Sequence, residues 1–181
     1  AQKARGNLTV HKLTADDFSA HEAIVPPDQR RDVRKFFARR DVGYVAVVDG
    51  RFAGWIWISR VTHRDPWSGL WIRLAADEAY SYAMWVLPDY RALGVAGVLV
   101  SRLLSDARRD PAIRRVYGWI DRENRQSQTL LRLVFGFSQV QELKRVHLLN
   151  RVGFKLPRSD RPPFGPFSAT GNHSRQPTAT V

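Results

Sequence analysis

The chain is 181 residues long, 44% hydrophobic and 11% aromatic, enough apolar mass for one domain with a buried core and too much for disorder throughout. It has no cysteine, which excludes disulfides, thiolate metal sites and a cysteine nucleophile, and no apolar run of the roughly eighteen residues a membrane-spanning helix needs. The net charge of +12, from 29 Lys and Arg against 17 Asp and Glu, favours anionic partners such as nucleotide phosphates, acidic proteins, nucleic acid or membrane surfaces, without choosing among them. Ala1 to Gly6 lacks the apolar core of a secretory signal, so a cytoplasmic protein is expected, although an initiating Met is missing.

Leu8–Leu13 reads as an opening strand, and Thr14 can cap a short helix that starts nearby. A second helix is expected over Asp28–Arg40, with Val33, Phe36 and Phe37 on one face and arginines around the rest. Tyr44–Val48, then Asp49-Gly50, then Phe52–Ile58 predicts a hairpin, because an Asp-Gly turn between β-branched and aromatic runs has few other readings. His63–Gly69 is polar, contains Pro66 and reads as a loop; Leu70–Leu74 and Ala79–Leu87 read as strands.

From Gly94 the period changes. Ala96, Leu99, Val100, Leu103, Leu104 and Ala107 recur at helical spacing. Val116–Ile120 follows as a strand, then Gln126–Phe135 as a helix with Leu130, Leu131 and Val134 on one side and Gly136 placed to end it. Val140–Leu149 supplies one last strand. The domain is thus expected over 1–156, and 157–181, rich in Pro, Ser and Gly, as a flexible tail. The element order predicts a mixed α and β fold, with helices packed on a largely antiparallel sheet.

The most informative stretch is Val86-Leu-Pro-Asp-Tyr-Arg-Ala-Leu-Gly-Val-Ala-Gly97, where a strand enters a tight turn that opens an amphipathic helix. The first-turn amides of such a helix lack intrahelical partners and the helix dipole adds positive potential, which together suit a pyrophosphate. Gly94 and Gly97 leave room for phosphate oxygens, and Arg91 adds a fixed charge. A plain strand-to-helix turn that merely uses Gly94 is the alternative.

Val86-x-Pro88-x-x-Arg91-x-x-Gly94-Val95-Ala96 resembles the acyl-CoA-binding motif of the GCN5-related N-acetyltransferases, written Arg/Gln-x-x-Gly-x-Gly/Ala. Asn124 and Ser127, followed by Leu130–Leu133 and Gly136-Phe137, resemble that family's next motif, and the two stand in the expected order. The resemblance covers roughly Leu8 to Leu156. It implies an α+β three-layer fold, with a mostly antiparallel six- to seven-stranded central sheet and helices on both faces. It also implies transfer of an acyl group, most commonly acetyl, from acetyl-CoA or another acyl-CoA directly to a small-molecule or peptide amine.

By the same resemblance, the amides of Leu93, Gly94, Val95, Ala96 and Gly97, with Arg91 and Ala92 in the same turn, would hold the pyrophosphate. Backbone groups of Trp85 and Val86 would pair with pantetheine, one of their amides serving as oxyanion donor. Asn124, with Ser127 beside it, would contact the pantetheine arm; Asn124 also fits a helix N-cap, and the two roles can coexist.

Glu78 precedes a strand where relatives often carry a Glu, so it is a candidate general base; a solvated loop carboxylate beside Asp77 is the other reading. Tyr82, on one strand face with Tyr80, is a candidate for the acceptor site or a proton relay, or for simple packing. Relatives often place a Tyr four residues before the Gly-Phe pair; this chain has Arg132 there, which puts a phenolic acid in doubt. The scattered histidines give no metal-ligand spacing, so no metal is expected. The basic helix and the six tryptophans admit an acyl carrier protein as donor and an apolar tunnel. A non-catalytic acyl-CoA sensor and a basic nucleic-acid-binding module are the readings from other classes, nucleic acid being the less supported partner. A monomer or homodimer is expected.

Overall fold

The computed structural model describes residues 6–16, 18–27, 30–65, 71–139, 144–148, 151–155 and 178–180. β1 (Leu8–Leu13), α1 (Phe18–His21) and α2 (Arg30–Ala38) lead into β2 (Val42–Val48) and β3 (Arg51–Ser59). Two-residue strands β4 (His63–Arg64) and β5 (Trp71–Ile72) precede β6 (Glu78–Val86). After a 3₁₀ turn over Pro88–Leu93 come α3 (Val95–Arg109), β7 (Arg115–Gly118) and α4 (Arg125–Thr129), which runs into a π-turn over Leu130–Val134. β8 (Lys144–Leu148), β9 (Arg151–Lys155) and β10 (Thr178–Thr180) complete the described chain.

The sheet order is β1-β2-β3-β6-β7-β10. Pairing is antiparallel from β1 to β6 and parallel from β6 through β7 to β10. The parallel step requires a crossover, and α3 supplies it. The hairpin forms as expected: Asp49 and Gly50 both take positive φ, 49° and 76°, which is the type I′ geometry that matches strand twist.

α3 lies on one face of the sheet, where Val95, Leu99, Val100, Leu103 and Leu104 pack with Tyr44, Ala46, Ile56, Ala79 and Val86. α2 lies on the other, where Val33 and Phe36 meet Trp57, Tyr80, Tyr82 and Tyr117. The expected helices on both faces are therefore present, and each large aromatic buried there contributes on the order of 2–3 kcal/mol.

Three expected elements differ. His63–Arg64 is not loop but pairs with Trp71–Ile72, folding the chain back over the α2 face. The last helix changes to π-type bonding at Leu130, and the wider turn rotates Val134 off the apolar stripe, leaving it 65% exposed while Leu131 stays buried. Leu148 ends a strand that pairs with β9 in a separate two-stranded ladder rather than with the main sheet. Pro66 lies outside the described residues, as do 157–177 and 181 of the expected tail; Thr178–Thr180 pairs with Arg115–Tyr117.

Candidate functional site

β6 and β7 are paired only from Glu78↔Arg115 to Ser81↔Gly118. Beyond that register the two strands part, and β6 runs on through Val86 with one edge open. Ala83 sits at the parting with φ 49°, and the β3–β6 register slips between Trp55 and Trp57, so β6 carries a bulge that bends it away from β7. Leu87 N–H donates to Ala53 C=O at 2.9 Å, on the β3 side. Alternation then turns the backbone groups of Val86 to the open edge, while Trp85, register partner of Trp55, turns its own to β3. Of the two residues, only Val86 turns its backbone groups to the open edge, because neighbouring residues of a strand face opposite edges. Trp85 contributes its ring instead, packed near Phe52 and Trp55.

The open edge leads into the 3₁₀ turn and then to Gly94, whose φ of 77° is the left-handed conformation that reverses the chain into α3. The first helical bond at this end is Val98 N–H to Gly94 C=O, 3.2 Å, and no side chain caps the helix. The amides of Val95, Ala96 and Gly97 therefore point out of the N-terminus without helical partners. A Cβ built on Gly94 meets nothing within 4 Å, and one on Gly97 meets only Leu130 Cδ1 at 3.9 Å, so the ground before these amides is open. Arg91 is exposed, and its Nε donates to Val86 C=O at 3.1 Å, clamping the turn to the strand end. Leu93 is exposed at the same turn; of Ala92 only the backbone is described. Asn124 caps α4, its Oδ1 accepting from Ser127 N–H at 3.1 Å, so its capping role is made.

A fold with this parted strand pair and uncapped helix start is matched in sequence as well. Residues 8–137 fit the family model described as the acetyltransferase (GNAT) family. The chain belongs to that family. Among solved structures, this GNAT chain is similar to the aminoglycoside acetyltransferase AAC(6′)-Iy in complex with a bisubstrate analogue, CoA-S-monomethyl-acetylneamine. That likeness has 17% identity and a TM-score of 0.53, over 80% of this chain and 98% of that one. It is similar also to a Trypanosoma brucei acetyltransferase, with 18% identity and a TM-score of 0.53 over 78% and 100%. A transcriptional regulator from Bacillus halodurans C-125 gives 13% identity and a TM-score of 0.54 over 78% and 100%. At these identities the likeness is one of fold. No curated protein matches the GNAT chain.

The two candidate proton carriers are both engaged. Glu78 is buried rather than solvated, since Oε1 accepts from Tyr117 OH at 3.0 Å and from Arg115 at 3.3 Å, and Oε2 from Ala75 N–H at 3.0 Å. It ties the closed end of the β6–β7 pair. Tyr82 OH donates to Asp41 Oδ2 at 2.6 Å and accepts from Arg39 Nη2 at 2.7 Å, so its proton is committed. Arg39, Asp41, His63 and Asp65 were not singled out in the sequence, although a buried aspartate directly ahead of an apolar strand, as at Asp41-Val42, is a usable signal.

Burial first, then a neighbouring carboxylate, pushes the phenols of Tyr44, Tyr80, Tyr82 and Tyr117 upward, the last to about 12. The carboxylates concerned are Asp106, Asp65, Asp41 and Glu78 respectively. A phenol whose pKa is higher in the fold than in the unfolded chain contributes stability that is complete below the ordinary value of about 10 and lost as pH rises through the folded value. In a pH-jump titration, tyrosinate absorbance from these four rings should therefore emerge together with loss of helical circular dichroism, above about pH 10. Ionisation of all four near pH 10 in a protein that stays folded would contradict the burial and the neighbouring carboxylates described above.

Proposed function

We propose that this GNAT protein transfers an acetyl group from acetyl-CoA to a primary amine. One observation carries the reading: an open strand edge, begun where β6 leaves β7, leads through the 3₁₀ turn to the uncapped N-terminus of α3. An extended amide-bearing arm that ends in a diphosphate has the chemistry to fill both parts, the arm along the edge and the diphosphate on the amides. The chain's residues fit this donor. Val86 offers backbone groups, Val95, Ala96 and Gly97 offer amides, Gly94 offers space, and the +12 charge favours a nucleotide polyanion.

When bound, CoA supplies an activated acyl group as a thioester. Val86 N–H, at the open edge near the end of β6, would hold the carbonyl oxygen as negative charge develops on it, a backbone donor that needs no reorganisation. The clamp from Arg91 to Val86 C=O keeps that residue in place. Arg132 is exposed on the π-turn, at the position where relatives often carry a tyrosine, so no phenolic acid acts from that position.

Differential scanning fluorimetry with CoA, acetyl-CoA and long-chain acyl-CoA tests the reading. A ligand at a hundred times its dissociation constant stabilises by about 2.7 kcal/mol. The expected result is a clear rise in Tm with acetyl-CoA, and release of free thiol from acetyl-CoA only when an amine such as an aminoglycoside is added. No shift with any CoA ester would overturn the reading.

A further inference from the structure

Arg39 follows the last turn of α2, and its guanidinium is fixed before any ligand arrives. Nε donates to Asp41 Oδ2 at 2.9 Å, and Nη2 donates to Tyr82 OH at 2.7 Å and lies 2.8 Å from the same Asp41 oxygen. Cζ rests over the rings of Phe36 and Tyr82, 5.4 and 5.5 Å from their centroids. The backbone is held too, since the amides of Arg39 and Asp41 both donate to Phe36 C=O at 3.1 Å. A side chain that ordinarily samples many rotamers thus presents one fork in one direction.

That bonding uses only part of the fork. Nη1, with two N–H groups, has no hydrogen-bond partner among the described residues. It is not enclosed either. The side chain is 25% exposed, and the buried unpartnered atoms among the described residues are Asp41 Oδ1, Trp57 Nε1 and His63 Nε2, with no arginine nitrogen in the set. Nη1 therefore faces solvent and needs no internal cavity to receive a ligand. Asp41 offsets the charge of the guanidinium, and Arg40, exposed at the next position, restores a positive balance. An oxygen anion is the partner such a donor lacks, because charge-assisted bonds of this kind are shorter and stronger than neutral ones.

The position gives this donor its meaning. Tyr82 is the first residue of β6 past its last pairing with β7, so Arg39 stands at the parting of the strands, on the sheet face opposite α3. With acyl-CoA along the open edge and α3 packed on its own face, the amine is left to approach from the face where Arg39 stands. Val86 lies four residues beyond Tyr82 on β6, roughly 13 Å of strand and somewhat less across the bulge.

The geometry points to an acceptor that carries a carboxylate well separated from its amine, the carboxylate accepting from Arg39 Nη1 while the amine reaches the thioester near Val86. A short peptide with a free N-terminus and a carboxylate about three residues on spans roughly 10 Å and meets that requirement. The inference rests on the acetyl-transfer reading above.

The test compares triglycine with triglycine amide as acceptors for the full chain and acetyl-CoA, since the two share backbone and amine and differ in the terminal carboxylate. Triglycine should have the higher kcat/KM by at least about tenfold, the worth of one hydrogen bond to a charged group. Arg39→Lys keeps a cation for Asp41 but removes Nη1, and should bring the ratio of the two substrates to about one. That variant leaves the net charge of +12 unchanged, so collapse of the ratio separates a positioned guanidinium from general attraction. If Arg39→Lys does not fold, Tyr82→Phe decides. It keeps the ring, removes the hydroxyl that aims the guanidinium, and should lower the ratio at least about threefold. Equal use of the two peptides by the native protein, or an unchanged ratio in the deciding variant, overturns the proposal. A thermal shift with CoA but acetylation of neither peptide overturns it while the transfer reading stands; absence of any CoA shift overturns both.

Discussion

Gly94→Glu is expected to abolish the thermal shift given by CoA while leaving a folded protein. The position is a backbone reversal at φ 77°, with open space where a side chain would go. A Cβ there meets nothing within 4 Å, so the expected cost to the fold is the left-handed strain of a non-glycine residue, roughly 1–2 kcal/mol. Its carboxylate, however, projects over the same N-terminus whose amides Val95, Ala96 and Gly97 lack partners. It would cap them itself and repel a diphosphate. Loss of the shift at a hundred times the native dissociation constant corresponds to at least about 2.7 kcal/mol of binding. Gly94→Asn separates the two effects, because Asn tolerates the left-handed region and carries no charge. It should keep most of the shift. A Gly94→Glu protein that binds CoA as well as the native one would place the phosphates elsewhere.

Glu78→Ala should act on stability, not on chemistry. The carboxylate is buried and held by Arg115, Tyr117 and the Ala75 amide across the paired end of β6 and β7. Removing it leaves a largely buried guanidinium, a phenol and an amide without their acceptor. Breaking a buried ion pair costs about 3–5 kcal/mol, and because both side chains retain slight exposure a loss of about 2–3 kcal/mol is expected. Glu78→Gln keeps one acceptor oxygen and should lose about half as much. Turnover per folded molecule should change by less than roughly tenfold in both. Chemical denaturation combined with active-site titration separates the two quantities. A Glu78→Gln protein of native stability whose turnover fell a thousandfold would restore the carboxylate as general base.

The glycine and the glutamate differ in how far their sequence context reached. Gly94 was readable because its job is local. A strand, a turn and a helix in succession, with glycine at the reversal, place amides and space at one spot whatever the rest of the chain does. The same holds for Asp49-Gly50, where two adjacent positive φ values follow from residue type and the strand twist on either side. Amphipathic spacing from Val95 to Arg109 likewise predicted which side of α3 is buried.

The sequence by itself determined these local features, the order of the main strands and helices from β1 to α4, and the family. Only the tertiary structure decided which of two neighbouring residues, Trp85 or Val86, faces the open edge, since that depends on the β3 register and on the bulge at Ala83. Only packing decided that Glu78 is a buried tie, because Arg115 and Tyr117 reach it through a parallel pairing made across α3. The same is true of Asp41, His63 and Tyr82, brought together from three separate segments. The physical reason is range: backbone conformation is governed by neighbours along the chain, whereas the partners of a side-chain oxygen or nitrogen are chosen by the folding that brings distant segments side by side.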